Sequence, residues 1–117
     1  MKNNILKDKS YSFAIKIVKS SEKLIVERKE YILSKQLMRS GTSIGALIRE
    51  AEFAQSKPDF INKMSIALKE ANETLYWLSL LKDTSYLSED SFLVLSDNCM
   101  ELISLLVATV KTSKANI

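Results

Sequence analysis

Histidine is absent from this chain of 117 residues, and glycine (two), proline (one) and cysteine (one) are scarce. Each shortage excludes something. Without histidine there is no imidazole base for a nucleophile and no imidazole ligand for a metal, and no other nucleophile-and-base or metal-ligand grouping stands out. So few glycines and prolines disfavour a β-rich fold of tight turns and favour long helices with few joints. The lone Cys99 cannot form an internal disulfide, which fits a reducing compartment, so a cytoplasmic location is expected. The longest nearly apolar run, residues 102–110, is broken by Ser104 and Thr109 and has about half the length a membrane helix needs. No membrane partner is expected. The basic first ten residues lack the apolar stretch of a signal peptide, and export is not expected either. A chain of this length is expected to form one domain, 1–117, burying roughly two-thirds of its unfolded surface without staples or metal.

What is present is apolar spacing of helical period, which predicts four helices over about 9–28, 31–54, 57–82 and 89–112. On the first, Tyr11, Ala14, Val18 and Ile25 form one stripe, with Phe13, Ile17 and Leu24 beside it. The second places Leu33, Leu37, Ile44, Ile48 and Ala51 on a face where Ser40 and Gly41 replace a further large residue. Each interior glycine costs about 1 kcal/mol relative to alanine, so a break is conceivable there. A continuous helix is the preferred reading, because Gly41 and Gly45 share a face and would let a neighbour approach closely. In the third, Ser56 and Asp59 form a capping pattern around Pro58, and Phe60, Met64, Ala67, Leu68, Ala71, Leu75 and Leu78 point inward. The fourth begins at the cap Ser88, with Leu87 placed to staple onto Phe92 and with Glu89 and Asp90 at the positive helix end. Phe92, Leu95, Cys99, Leu102 and Leu106 make its core stripe, and residues 112–117 are expected to fray. The short connections make sequential neighbours antiparallel. The expected fold is all-α, an antiparallel up-down-up-down four-helix bundle.

Glu70 and Glu73 share a face with Ile66, Trp77 and Leu80 and need partners. One reading groups them with Glu50 as a metal-binding or acid-base carboxylate cluster. Ferritin-like di-iron sites usually add Glu-x-x-His motifs, which this chain cannot supply. The preferred reading has these glutamates accepting hydrogen bonds from Arg39, Arg49, hydroxyl groups or a helix N-terminus, fixing helix register.

The motif Arg39, Ser40, Ser43, Ile44, Ile48, Glu50, Ala51, followed by Ile66, Ala67, Glu70, Glu73, Trp77 and Leu78, resembles a bacterial family of four-helix bundles. That family is encoded in intervening sequences of large-subunit (23S) ribosomal RNA genes. The match covers about a third of the chain as motif and nearly all of it as helix layout. One position departs: Leu47 stands where the family commonly has asparagine, so any hydrogen bond of that amide is lost. The resemblance implies a ring-shaped homo-oligomer, often a pentamer. The similar accessory proteins of diversity-generating retroelements are basic, bind nucleic acid and assist a reverse transcriptase. By resemblance, the protein is a non-enzymatic oligomer, without cofactor, that works on or near RNA or DNA. Arg39, Ser43, Glu50, Glu70, Glu73 and Trp77 are its structural motif.

Charge adds a candidate binding surface. Residues 1–57 carry a net charge of +6 and residues 58–117 a net of −3. On the first helix Lys9, Lys16, Lys19 and Lys23 fall within about 80° of one another, forming a ridge able to contact phosphates. The plainer reading of such lysines is a solvated bundle face. Ile15 and Val26 on the first helix, and Trp77 and Leu81 on the third, extend apolar surface beyond the core stripes and suggest a subunit interface. The favoured function is therefore an RNA-associated oligomer. The alternative is a protein-interaction scaffold, or a reverse-transcriptase accessory subunit, without direct nucleic-acid contact.

Overall fold

The computed structural model describes the backbone of residues 2–116 and side chains from 5 to 116. Four helices follow one another: α1 (Lys2–Arg28), α2 (Leu33–Glu52), α3 (Lys57–Asp83) and α4 (Glu89–Ala115). A helix rises about 1.5 Å per residue. The 27-residue helices therefore account for a molecule 47 Å long and 21 by 20 Å across. Each helix packs on its neighbours in sequence, and α4 returns to α1, giving the antiparallel up-down-up-down order.

α1 differs from expectation at its start and on its inward face. It begins at Lys2, because Leu6 and Ser10 are buried and extend the core towards the N-terminus. The stripe that goes inside is Leu6, Phe13, Ile17 and Leu24, interleaved with buried Ser10 and Ser21. Tyr11 and Val18, expected to lead, face outward instead. Close approach of α2 decides between the two stripes. A Cβ on Gly41 would lie 2.8 Å from the Ile17 side chain, and one on Gly45 would lie 3.3 Å from the Ser10 hydroxyl. Small groups on both helices are what let the backbones meet there, so the stripe containing Ser10 is the one that fits.

α2 starts at Leu33 rather than near 31, and Glu30 explains why. Lys29 adopts a left-handed conformation (φ 54°) that turns the chain out of α1. The Glu30 carboxylate, buried at the bundle end, then accepts backbone N–H bonds from Ile32 (3.2 Å), Leu33 (3.0 Å) and Ser34 (2.7 Å). Burial pushes this carboxyl up, but the three N–H donors more than offset it and leave its pKa below the ordinary value. At the far end α2 stops at Glu52, where Phe53 and Ala54 close tight turns onto Glu50 and Ala51.

Both expected caps are present. The Ser56 hydroxyl accepts from the Asp59 N–H at 3.2 Å, and that of Ser88 accepts from the Ser91 N–H at 3.1 Å. The inward face of α3 is Ile61, Met64, Ala67, Ala71, Thr74, Leu78 and Leu81. Phe60, Leu68 and Leu75 sit half-buried at its margins, and Leu81 belongs to the core rather than to an outer surface. On α4, Leu95, Cys99, Leu102 and Leu106 are buried as expected. Val110 and Ser113 continue that stripe, which keeps α4 helical to Ala115 where fraying was expected.

Candidate functional site

The α2–α3 side gathers most of the motif residues. Arg39 reaches across from α2 and donates to Glu70 at 3.2 Å and to Glu73, while the indole N–H of Trp77 donates to the same Glu73 oxygen at 3.1 Å. Glu70 is 13% exposed against 51% for Arg39, so the carboxylate is the sheltered partner and the guanidinium its screen. Beneath them, Thr74 donates to the Ser40 hydroxyl at 2.9 Å in the fully buried seam. These bonds tie one register of α2 to one register of α3, the role preferred for the two glutamates from sequence. Ser43 donates to the Ser40 carbonyl within its own helix at 2.9 Å, and Leu47 packs half-buried against the core.

Glu50 does not join this cluster. It is exposed and pairs with Lys63 at 3.4 Å. Arg49, another donor considered for the glutamates, lies 5.4 Å over the Tyr11 ring on the opposite side of α2. Among the described residues no group of three or more acidic, cysteine or histidine side chains is placed to hold a metal ion. Cys99 lies fully buried with its sulfur 3.2 Å from the Ala71 carbonyl, and burial pushes its thiol up to about 12. A thiol held protonated in this way is not a nucleophile near neutral pH.

The lysine ridge runs along the opposite, α1–α4, side. Lys9 pairs with Glu101 at 3.0 Å and Lys16 donates to the Asn98 side chain at 2.8 Å, so half of the ridge is engaged by α4. Lys19 and Lys23 are exposed and make no ion pair among the described residues. They border open grooves along the seam, where Asp90 and Glu27 also stand. Sequence reasoning missed Arg28, which clamps this end. It donates to the carbonyls of Ser85 (2.9 Å) and Tyr86 (3.2 Å) and lies 4.8 Å over the Tyr86 ring. A basic residue in the last turn of α1 was the available signal.

Exposed apolar residues stand at the connections, where Ile32 and Phe53 are 76% and 84% exposed, and on the remaining two sides. On α1, Tyr11 (58% exposed), Ile15 and Val18 point outward beside α2, and Val26 is also exposed. The second patch is carried mainly by α4, with Leu93, Met100 (54% exposed) and Val107, while Tyr76 is exposed on α3. By length and composition α4 could cross a membrane, and only 28% of its most apolar window is buried. The run 102–110 understates it, because the apolar residues of α4 are distributed around its circumference. Trp77, one of the interface candidates from sequence, is half-buried against the core.

These features define a helical bundle whose polar motif locks two helices together. The chain belongs to the 23S rRNA-intervening sequence protein family, whose model matches residues 2–108. It is similar to a crystal structure from Bacteroides thetaiotaomicron VPI-5482, that of an S23 ribosomal protein family member of unknown function. The two are 53% identical and superimpose with a TM-score of 0.93, covering 95% of this chain and 99% of that one. Comparison with curated proteins gives no match.

Proposed function

We propose that this protein is a non-enzymatic, self-associating bundle that contacts the phosphate backbone of RNA through the exposed lysines of α1. The observation that carries the reading is the edge formed by Lys9, Lys16, Lys19 and Lys23 beside an open seam, on the half of the chain with net charge +6. The family's link to 23S ribosomal RNA genes points the same way. A phosphate-reading surface needs cations on one side and no base-specific geometry, which is what a lysine edge offers. The non-enzymatic part rests on a chain without histidine and a cysteine held as an inert thiol. Self-association, in the pentameric form implied by the family resemblance, is supported by the exposed apolar residues of α1 and α4.

Fluorescence anisotropy of a labelled 23S ribosomal RNA fragment, titrated at two salt concentrations, tests the reading. Binding is expected to weaken steeply with salt, each lost phosphate contact lowering the log–log slope by about 0.7–0.9. Because α4 already engages Lys9 and Lys16, replacing Lys19 and Lys23 by glutamate is expected to cost more affinity than replacing the other two. Salt-independent binding, or equal effects from the two pairs, would count against the lysine edge. Light scattering tests self-association, and a mass of 13.2 kDa at micromolar concentration would refute it. The engagement of Lys9 and Lys16 favours one second reading, a scaffold for partner proteins such as a reverse transcriptase, with no nucleic-acid contact. Absence of RNA binding at low salt, together with an intact oligomer, selects that reading.

A further inference from the structure

We infer that the α1–α4 groove takes the 3′ end of a single RNA strand, with its phosphates on the lysines of α1 and its terminal ribose hydroxyls on Glu27. The inference rests on the RNA contact proposed above and adds which part of the RNA is read. A pocket of about 220 Å³ near the end of α1 and a trough of about 490 Å³ beside it share Ser20 and Ser91, so the two form one hollow. Polar straps cross the seam at both limits. Lys16 donates to Asn98 at one, and Arg28 donates to the Ser85 and Tyr86 carbonyls at the other. From Lys16 to Arg28 α1 rises by about 18 Å, room for a few nucleotides. The molecule is only 21 by 20 Å across, so a groove between two of its four helices admits one strand and not a duplex.

The two walls differ as the two edges of an RNA strand differ. On the α1 wall Lys16, Lys19, Lys23 and Glu27 fall within about 80° of one another, and Lys19, Lys23 and Glu27 follow at steps of four residues, about 6 Å each. The α4 wall offers acceptors instead, the Asp90 carboxylate and the hydroxyls of Ser88 and Ser91. Phosphates therefore turn to α1 and the 2′-hydroxyls to α4. Lys19, Lys23, Glu27 and Asp90 make no ion pair among the described residues, so all four are free for a ligand.

The closed end decides which terminus fits. Arg28 lies 4.8 Å over the Tyr86 ring and is held there by its two bonds to the α3–α4 turn, so the hollow is blind beside it. A strand running through would have to displace that clamp, whereas a strand that stops there leaves it intact. Glu27 is the charged group the last nucleotide meets, above the apolar floor of Leu24 and Leu87. A carboxylate repels a terminal phosphate and accepts from hydroxyls. The 3′ end of RNA carries two vicinal hydroxyls, two donors for one carboxylate, and carboxylates recognise ribose in this way at nucleotide sites.

Fluorescence anisotropy of short, internally labelled single-stranded RNA at low salt tests the inference with three probes of one sequence. These are a strand ending in a free 3′-hydroxyl, the same strand ending in a 3′-phosphate, and its circular form. The free 3′-hydroxyl should bind most tightly, and the 3′-phosphate and the circle roughly tenfold more weakly. Glu27 is exposed, so Glu27→Gln should keep wild-type helicity by circular dichroism while binding the 3′-phosphate as well as the 3′-hydroxyl. Ser91→Leu, which fills the junction of the two hollows, should bring the 3′-hydroxyl strand down to the affinity of the circle. Equal affinity for the three probes, with binding that weakens with salt, would overturn the end site and leave the lysine edge standing. A preference for the 3′-hydroxyl that survives Glu27→Gln or Ser91→Leu would overturn its placement in this groove. No binding of any probe would instead refute the RNA contact on which the inference rests.

Discussion

The α2–α3 and α1–α4 seams are built from opposite materials. At α2–α3, small buried residues and a guanidinium bridging two carboxylates hold the helices in contact, with the Ser40–Thr74 bond inside. At α1–α4, long lysines span a wider gap to Glu101 and Asn98 and leave grooves between the helices. The first arrangement fixes position because short side chains and buried bonds admit few alternatives. The second tolerates adjustment, since exposed lysines lose little when they let go. The functional candidates divide accordingly: Arg39, Glu70, Glu73 and Trp77 bond to one another on the closed side, and the surface proposed to contact phosphates lies on the open one.

The largest expected contrast comes from inserting the same bulk on both sides. Ser40→Leu forces a branched side chain into a fully buried seam and removes the hydroxyl that bonds Thr74 across it, at an expected cost of about 3 kcal/mol. Ser20→Leu adds the same volume beside an open groove and should change stability by no more than about 0.5 kcal/mol. Urea unfolding of the two variants checks this, and equal costs would break the distinction between the seams.

Next comes Glu30, whose carboxylate starts α2, the helix that forms the tight seam with α3. Glu30→Ala is expected to cost about 2 kcal/mol. The folded pKa of Glu30 is depressed, so its contribution is complete above the unfolded carboxylate range and disappears as pH falls through the folded value. Thermal melts of wild type and variant should therefore converge in acid. A constant difference from neutral pH down to pH ~2 would contradict the assignment.

A smaller contrast separates the ionic groups. Arg39→Ala should cost about 1–2 kcal/mol, because it leaves the sheltered Glu70 without its donor. Lys16→Ala should cost less than about 0.5 kcal/mol. The last effect has the opposite sign. Ser85 sits at φ 67° just after α3, where the N–H of Tyr86 donates back to the Leu81 carbonyl at 2.9 Å. Glycine adopts that conformation freely, so Ser85→Gly should stabilise the protein by about 1 kcal/mol.

Much of the fold was legible in the sequence because its signals are local. The caps Ser56 and Ser88 and the core stripe of α4 each depend on residues within a few positions of one another. The inward face of α1 was not legible for the same reason. Two apolar stripes of equal period run along it, and the one that is buried contains Ser10 and Ser21, which make it look the poorer core. Only contact with Gly41 and Gly45 of another helix decides between them, and periodicity within one helix carries no such information. Glu30 was missed because a buried carboxylate capping a helix from outside its first turn leaves no apolar pattern. Of the candidate sites, the need of Glu70 and Glu73 for donors followed from their place on one apolar face, with Arg39 one of several donors considered. The exclusion of Glu50, and the capture of Lys9 and Lys16 by α4, depended on which helices turned out to be neighbours.

Cys99 gives the fold a built-in clock. Its thiol is sealed at the centre of the bundle and held protonated, so alkylating reagents cannot consume it while the helices stay together. Every modification therefore records one opening of the core, and under fast reclosure the labelling rate divided by that of an exposed thiol is the fraction of time the interior stands open. With a single cysteine in the chain, no second site blurs the count.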